Sequence, residues 1–183
     1  MHGDFKEIKT TQAATLLLSL NNDSMYYLKL VKLLYLIDRE ALLRWGRPVT
    51  FDNLVSMDQG TVTSTTLNLI REKVDPADFA YWYEHIHTLS HQRKVKLIEN
   101  SNYDELSEAE KDLIVEIDNK FKKYSRWQLR DYTHKLPEWQ DPKGTSVPIS
   151  LFDIFGGEGR NNKEAEEIIN DLQSLSYLDR TLT

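Results

Sequence analysis

Between Met25 and Trp45 the chain reads MYYLKLVKLLYLIDREALLRW, and its apolar positions recur at helical spacing. At about 100° per residue, Tyr27, Leu30, Val31, Leu34, Ile37, Ala41, Leu42 and Trp45 share one broad face, while Lys29, Lys32, Arg39, Glu40 and Arg44 fall away from it. Leu33, Leu36 and Leu43 carry apolar surface round towards the far side, which predicts a central helix packed on more than one flank. Asp38 interrupts the pattern, because it projects between Leu34, Ala41 and Trp45, where an ionised carboxylate needs a partner.

The remaining elements are arranged around this helix. A first helix is predicted over Thr11–Ser19, followed by Asn21-Asn22-Asp23-Ser24 as a tight turn that offers N-caps to the central helix. Gly46 stands where a left-handed C-cap belongs, and Pro48 keeps the helix from resuming. Val49-Thr50-Phe51 and Leu54-Val55-Ser56-Met57 read as short extended pieces, Asp58–Ser64 as a polar loop around Gly60, and Thr65–Lys73 as a helix. Tyr83–Leu89 is predicted to pair with Lys94–Glu99 across a turn at Ser90–Arg93. Ser107 with Glu110, and Ser125 with Gln128, have capping-box spacing and start helices towards Tyr124 and His134. Pro137, Pro142, Gly144 and Pro148 mark a loop, and Ser150–Phe155 makes a helical turn or two that the GGEG run at Gly156 breaks. A last helix, over Lys163–Tyr177, places Ile168, Ile169, Leu172 and Leu175 at core spacing.

The fold class that follows is mainly α (α+β), a compact helical domain around the central helix 25–45 with short β-hairpin elements. A length of 183 residues with 40% hydrophobic and 28% charged content suits one soluble domain. No apolar run reaches the length of a membrane span, and MHGDFKEIK lacks the layout of a secretory signal, so the cytoplasm is the expected location. The absence of cysteine removes disulfides, thiol nucleophiles and cysteine-based zinc ribbons. A net charge of −6 disfavours direct nucleic-acid binding, and the two basic runs, His91–Lys96 and Lys120–Lys123, are short and bordered by acids.

Candidate chemistry is sparse. His85 and His87 would share a face of the predicted strand with His91 nearby, a weak metal pattern without a carboxylate partner or an HExxH helix, and no ligands are assigned to it. There is no GxSxG elbow, no phosphate-cradling GxxxxGK[ST], and no spacing that singles out a catalytic carboxylate pair, so no catalytic residue, metal or cofactor is expected. The polar groups set in apolar ground are Asp38 and the segment Leu129–Trp139. His134 lies at a predicted helix end, where the dipole favours the protonated ring, and a pairing of Asp38 with His134 would satisfy both as a structural lock between helices.

Taken together, Lys32-Leu33-Leu34-Tyr35-Leu36-Ile37-Asp38-Arg39, Trp45-Gly46-Arg47-Pro48-Val49-Thr50, Gly60-Thr61-Val62, Leu106–Glu110 and Leu129–Trp139 form an ordered series that resembles the SocA-like Panacea domain over roughly Gln12–Phe155. The family pattern follows its glycine with Pro-Val, and here Thr61 occupies the proline position. The resemblance implies a Panacea-like domain over 1–155, with a helical extension over 156–183 packed on it. It implies an antitoxin, encoded by bacteria and their phages, that neutralises a cognate protein toxin by direct binding and not by catalysis. The other reading is a phage or mobile-element adaptor that binds a host protein or delivers a bound one to a protease. A protease or a second copy of the chain are the further partners left open. Motif positions carried over are Lys32, Leu34, Tyr35, Asp38, Gly46, Pro48, Thr50, Gly60, Val62, Leu129, His134 and Trp139, most of them structural. The partner-binding surface is expected outside them, at Tyr81, Trp82 and Tyr83 as exposed aromatics, on the hairpin, or on the acidic C-terminal helix.

Overall fold

A computed structural model describes residues 5–182, with side chains as far as Ser174. Residues 1–4 and 183, which bound the two segments 1–155 and 156–183, lie outside the described residues, as does the side chain of Leu175. Among the described residues there are eight α-helices and two small antiparallel sheets, so the fold is mainly α with β elements.

The central helix, α2, spans Tyr27–Trp45, and it is buried more completely than its amphipathic pattern predicts. Every residue from Leu30 to Arg39 is buried, because α1 (Glu7–Ser19), α5 (Glu108–Phe121), α6 (Arg126–Thr133) and strand β3 (Gly60–Thr63) all pack on it. Trp45, by contrast, is half exposed at its end. The helix starts two residues later than predicted, because Ser24–Tyr26 forms strand β1. Asn22 and Asp23 carry the preceding turn at positive φ, and neither caps α2. The first amide of α2, Tyr27 N–H, donates instead to the carbonyl of Arg93 at 3.1 Å. Gly46 closes the helix at φ 71 with its N–H on Leu42, the left-handed cap expected there.

Strand β1 pairs antiparallel with β5 (Lys94–Leu97), whose other edge takes β4 (Ile86–Leu89). The predicted hairpin is therefore present but short, because Tyr83–His85 belong to helix α4 (Ala80–His85). In the second sheet β2 (Leu54–Met57) runs between β3 and β6 (Val147–Pro148). The segment predicted as a loop after Asp58 is thus a tight hairpin, with Met57 opposite Gly60 and Leu54 opposite Thr63. Polar residues fill a strand here because β3 faces other protein on both sides: all four of its residues are buried. Val49–Phe51 is not a strand.

Helix α3 (Ser64–Ile70) ends before Lys73, and its first amides are satisfied from a distance. Asp52 accepts from Thr65 N–H and Thr66 N–H, each at 2.8 Å. Both capping boxes form as their spacing predicts. Ser107 N–H donates to Glu110 at 2.9 Å and Ser125 N–H to Gln128 at 2.9 Å, while each serine hydroxyl accepts from the third-residue amide. Helix α7 (Leu151–Gly157) continues through the first two glycines of the GGEG run, and Gly157 packs so tightly that a Cβ would collide with the Pro137 ring. Helix α8 (Asn162–Leu182) lays buried Ala165 and Leu172 on the core, and Ile168 lies 3.1 Å from where a Cβ at Gly46 would stand.

Candidate functional site

The motif residues of α2 look in two directions. On one side Asp38, fully buried, accepts at Oδ1 from the amides of Val49 and Thr50, each at 2.8 Å, and at Oδ2 from the Thr50 hydroxyl. Burial pushes its carboxyl up to about 7, opposed by those hydrogen bonds from Thr50 and Val49. The carboxylate staples the chain after buried Pro48 back onto the helix, which explains why Val49–Phe51 is ordered without belonging to a sheet. Its partner is therefore Thr50 and not His134, which corrects the expected pairing.

On the other side Lys32, Tyr35 and Arg39 face inward, although helical spacing places Lys32 and Arg39 off the main apolar face. Lys32 is fully buried and donates to the Thr61 carbonyl at 3.2 Å and to the Thr133 hydroxyl at 3.1 Å, with no carboxylate in contact among the described residues. Burial, and secondarily the charge of Arg130, lower its ammonium to about 7. Gly60 makes this meeting possible: it sits at φ +91, and a Cβ there would stand 2.7 Å from Lys32 Nζ and collide with the Thr133 hydroxyl. Three separated motif pieces, KLLYL, Gly60 and Thr133-His134, are thus one contact. Lys32 uses the main-chain carbonyl of Thr61, which the family's proline would also present.

Tyr35 and Arg39 converge on Glu138, a residue not singled out in the sequence. The Tyr35 hydroxyl donates to Oε1 at 2.6 Å, Arg39 Nε donates to Oε1 at 2.7 Å, and Arg39 Nη2 reaches Oε2 at 3.3 Å and Glu158 at 2.6 Å. Burial and the Glu138 charge raise the Tyr35 phenol well above its ordinary value. Burial would lower Arg39, and its hydrogen bonds to Glu138 and Glu158 outweigh that. One signal was legible: Lys32, Tyr35 and Arg39 stand at i, i+3 and i+7, a single stripe.

Beside this cross-link the His134 ring packs against Trp139 at a 41° tilt with centroids 4.5 Å apart, and Trp139 Nε1 donates to the Met57 carbonyl at 3.3 Å. Burial and the Lys32 charge hold His134 below its ordinary value, the opposite of what a helix C-terminus alone would do. Leu34, Val62 and Leu129 belong to the core.

The aromatics Tyr81, Trp82 and Tyr83 are not the exposed patch expected of them. Trp82 is fully buried, Tyr83 is half-buried with its hydroxyl on the Leu69 carbonyl at 3.0 Å, and Tyr81 packs on His85. Helix α4 turns Trp82 inward. Exposed aromatic surface is found instead at Tyr26, Tyr124 and Trp127. His85 ends α4 and bonds the Tyr81 carbonyl at 2.8 Å, so it does not share a strand face with His87. Among the described residues no group of three His, Asp or Glu could hold a metal ion.

The family model described as "Antitoxin SocA-like, Panacea domain" matches residues 30–140. The chain belongs to this family. No curated protein and no solved structure matches it. The Panacea match runs from the second turn of α2 to just past Trp139, so it contains the Asp38 staple, the Lys32 contact and the Tyr35–Arg39–Glu138 cluster, while Glu158 and α8 lie beyond it. The cross-link ties α2 to the β2–β3 hairpin, to α6 and to the segment after α6. Its groups are bonded to one another inside the protein, so what it does chemically is to hold those elements in register and present their outer faces.

Proposed function

We propose that this chain is an antitoxin that neutralises a cognate protein toxin by holding it in a complex, with no catalytic step. The Panacea match over 30–140 carries the reading. The geometry supports it in two ways. Lys32, Tyr35, Asp38 and Arg39 of the motif series are committed to internal bonds, which suits presentation of a surface better than turnover of a substrate. The exposed Tyr26, Tyr124 and Trp127 are residue types enriched where one protein seats on another. No helix among the described residues is long and apolar enough to cross a membrane.

The test is growth rescue. The product of the adjacent gene is expressed alone and then with this chain, and the pair is co-purified from the same cells. Restored growth with a stable complex is the expected result. A neighbour that is harmless, or toxic yet neither rescued nor bound, would overturn the reading in favour of an adaptor acting on a host protein.

A further inference from the structure

Three arginines from three distant parts of the chain converge on one open cleft. Arg71 follows α3, Arg93 sits in the β4–β5 turn at positive φ, and Arg126 opens α6; with Tyr27, Val62 and Trp127 they line a space of about 360 Å³. Arg39, Arg44 and Arg130 each hold a carboxylate at 2.6–2.7 Å. Arg71, Arg93 and Arg126 hold none among the described residues. The Asp58 carboxylate also lines the cleft, and it accepts from Gly144 N–H at 3.1 Å.

Arg126 and Trp127 join this cleft to a neighbouring series of cations lying over rings. Lys94 lies 5.3 Å over the Tyr26 ring and Arg126 4.0 Å over the same ring; Arg126 is 4.7 Å, and Arg130 5.3 Å, from the Trp127 ring. Tyr26 and Trp127 are nevertheless 39% and 43% exposed. The two rings hold the guanidinium of Arg126 in place, and it donates to no carboxylate among the described residues, so its donors are available to a partner's carboxylate. Planar cations and large exposed rings around a concave surface are also the composition of binding hot spots.

We infer that this cleft is the seat of an acidic segment of the partner protein, whose carboxylates are taken by Arg71, Arg93 and Arg126 and whose apolar side chains lie on Tyr26 and Trp127. The inference rests on the antitoxin reading for the identity of the partner. The charge of the cleft is local, in a chain whose net charge is −6, which favours a short acidic peptide over a nucleic acid that must track many phosphates.

The experiment titrates a fluorescently labelled octaglutamate peptide onto the full chain, onto R93E/R126E, and onto R47E, a charge reversal away from the cleft. The same three proteins are tested for co-purification with the product of the adjacent gene. Octaglutamate should bind the unaltered chain and R47E alike, weaken in high salt, and lose at least about tenfold in affinity in R93E/R126E, which also loses the toxin complex. If R93E/R126E does not fold, salt-insensitive binding of octaglutamate to the unaltered chain overturns the inference. So does failure of the unaltered chain to bind octaglutamate, or tighter binding of an octathymidylate through the same arginines. A neighbour bound equally by the unaltered chain and R93E/R126E sinks the cleft and leaves the antitoxin reading standing. Octaglutamate bound through the arginines with no neighbour bound supports the cleft and removes the antitoxin reading.

Discussion

Lys32 and Arg39 lie inside the protein, and Arg93 and Arg126 lie on it, although helical spacing places Lys32 and Arg39 off the main apolar face of α2. The inner cations are engaged within the protein: Lys32 on a carbonyl and a hydroxyl, Arg39 on two carboxylates. Of the outer ones, Arg126 lies over the Tyr26 and Trp127 rings, and neither it nor Arg93 holds a carboxylate among the described residues. A charge brought out of water must be compensated where it sits, so the inner set is committed to architecture, whereas an exposed guanidinium stays solvated and free to meet a partner. Substitutions should therefore separate into losses of stability inside and losses of binding outside.

The largest effect is expected at Glu138. Glu138→Ala strips Arg39 and Tyr35 of their shared acceptor inside the protein and should lower the unfolding free energy by about 3 kcal/mol, Glu158 retaining part of Arg39. Urea denaturation measures this, and a loss under about 1 kcal/mol would mean that the cluster does not stabilise the fold. Next comes Gly60→Ala, which places a methyl against Lys32 and Thr133 at a positive φ and should cost about 2 kcal/mol. In a double-mutant cycle with Thr133→Ala the two should be strongly non-additive; simple additivity would show that the close approach to Thr133 is not what the glycine serves.

Lys32 also gives a pH signature. Its folded value, about 7, lies below its ordinary 10.5, so between them the unfolded chain binds more protons and stability rises with pH. The contribution is fully present above 10.5 and lost as pH falls through about 7. Lys32→Met should flatten that rise in denaturation midpoints, and an unchanged slope would place the titration elsewhere. The smallest effect on stability belongs to Trp127→Ala, within about 0.5 kcal/mol because the ring is exposed. The same change should weaken the toxin complex; a large loss of stability with binding intact would erase the inner–outer contrast.

Much of this fold could be read directly from local chemistry. The two serine capping boxes, the Gly46 cap and the apolar stripe of α2 are interactions within a few residues of one another, so their spacing alone predicts them. The β4–β5 hairpin was legible for the same reason, but not its length, because α4 takes Tyr83–His85. Of the site, Asp38 was visible as an anomaly that needed a partner, and the motif series placed it within the Panacea family, as the match over 30–140 bears out.

Its partner was not visible. Thr50 supplies amide and hydroxyl donors to Asp38 because the chain turns back after Gly46, a proximity that charge, the only ground for pairing it with His134, does not encode. Glu138 acquires its meaning from Tyr35 and Arg39, about a hundred positions away, and nothing in its local sequence distinguishes it from a surface glutamate. Strand β3 is polar and reads as loop, and it is strand because α2, α6 and β2 cover it. Periodicity reports which face of a helix is apolar, but how many neighbours crowd that helix is a property of the assembled chain. Once α2 is enclosed on every side, the cations on its nominal outer stripe must find acceptors within the protein, and long-range packing alone supplies them.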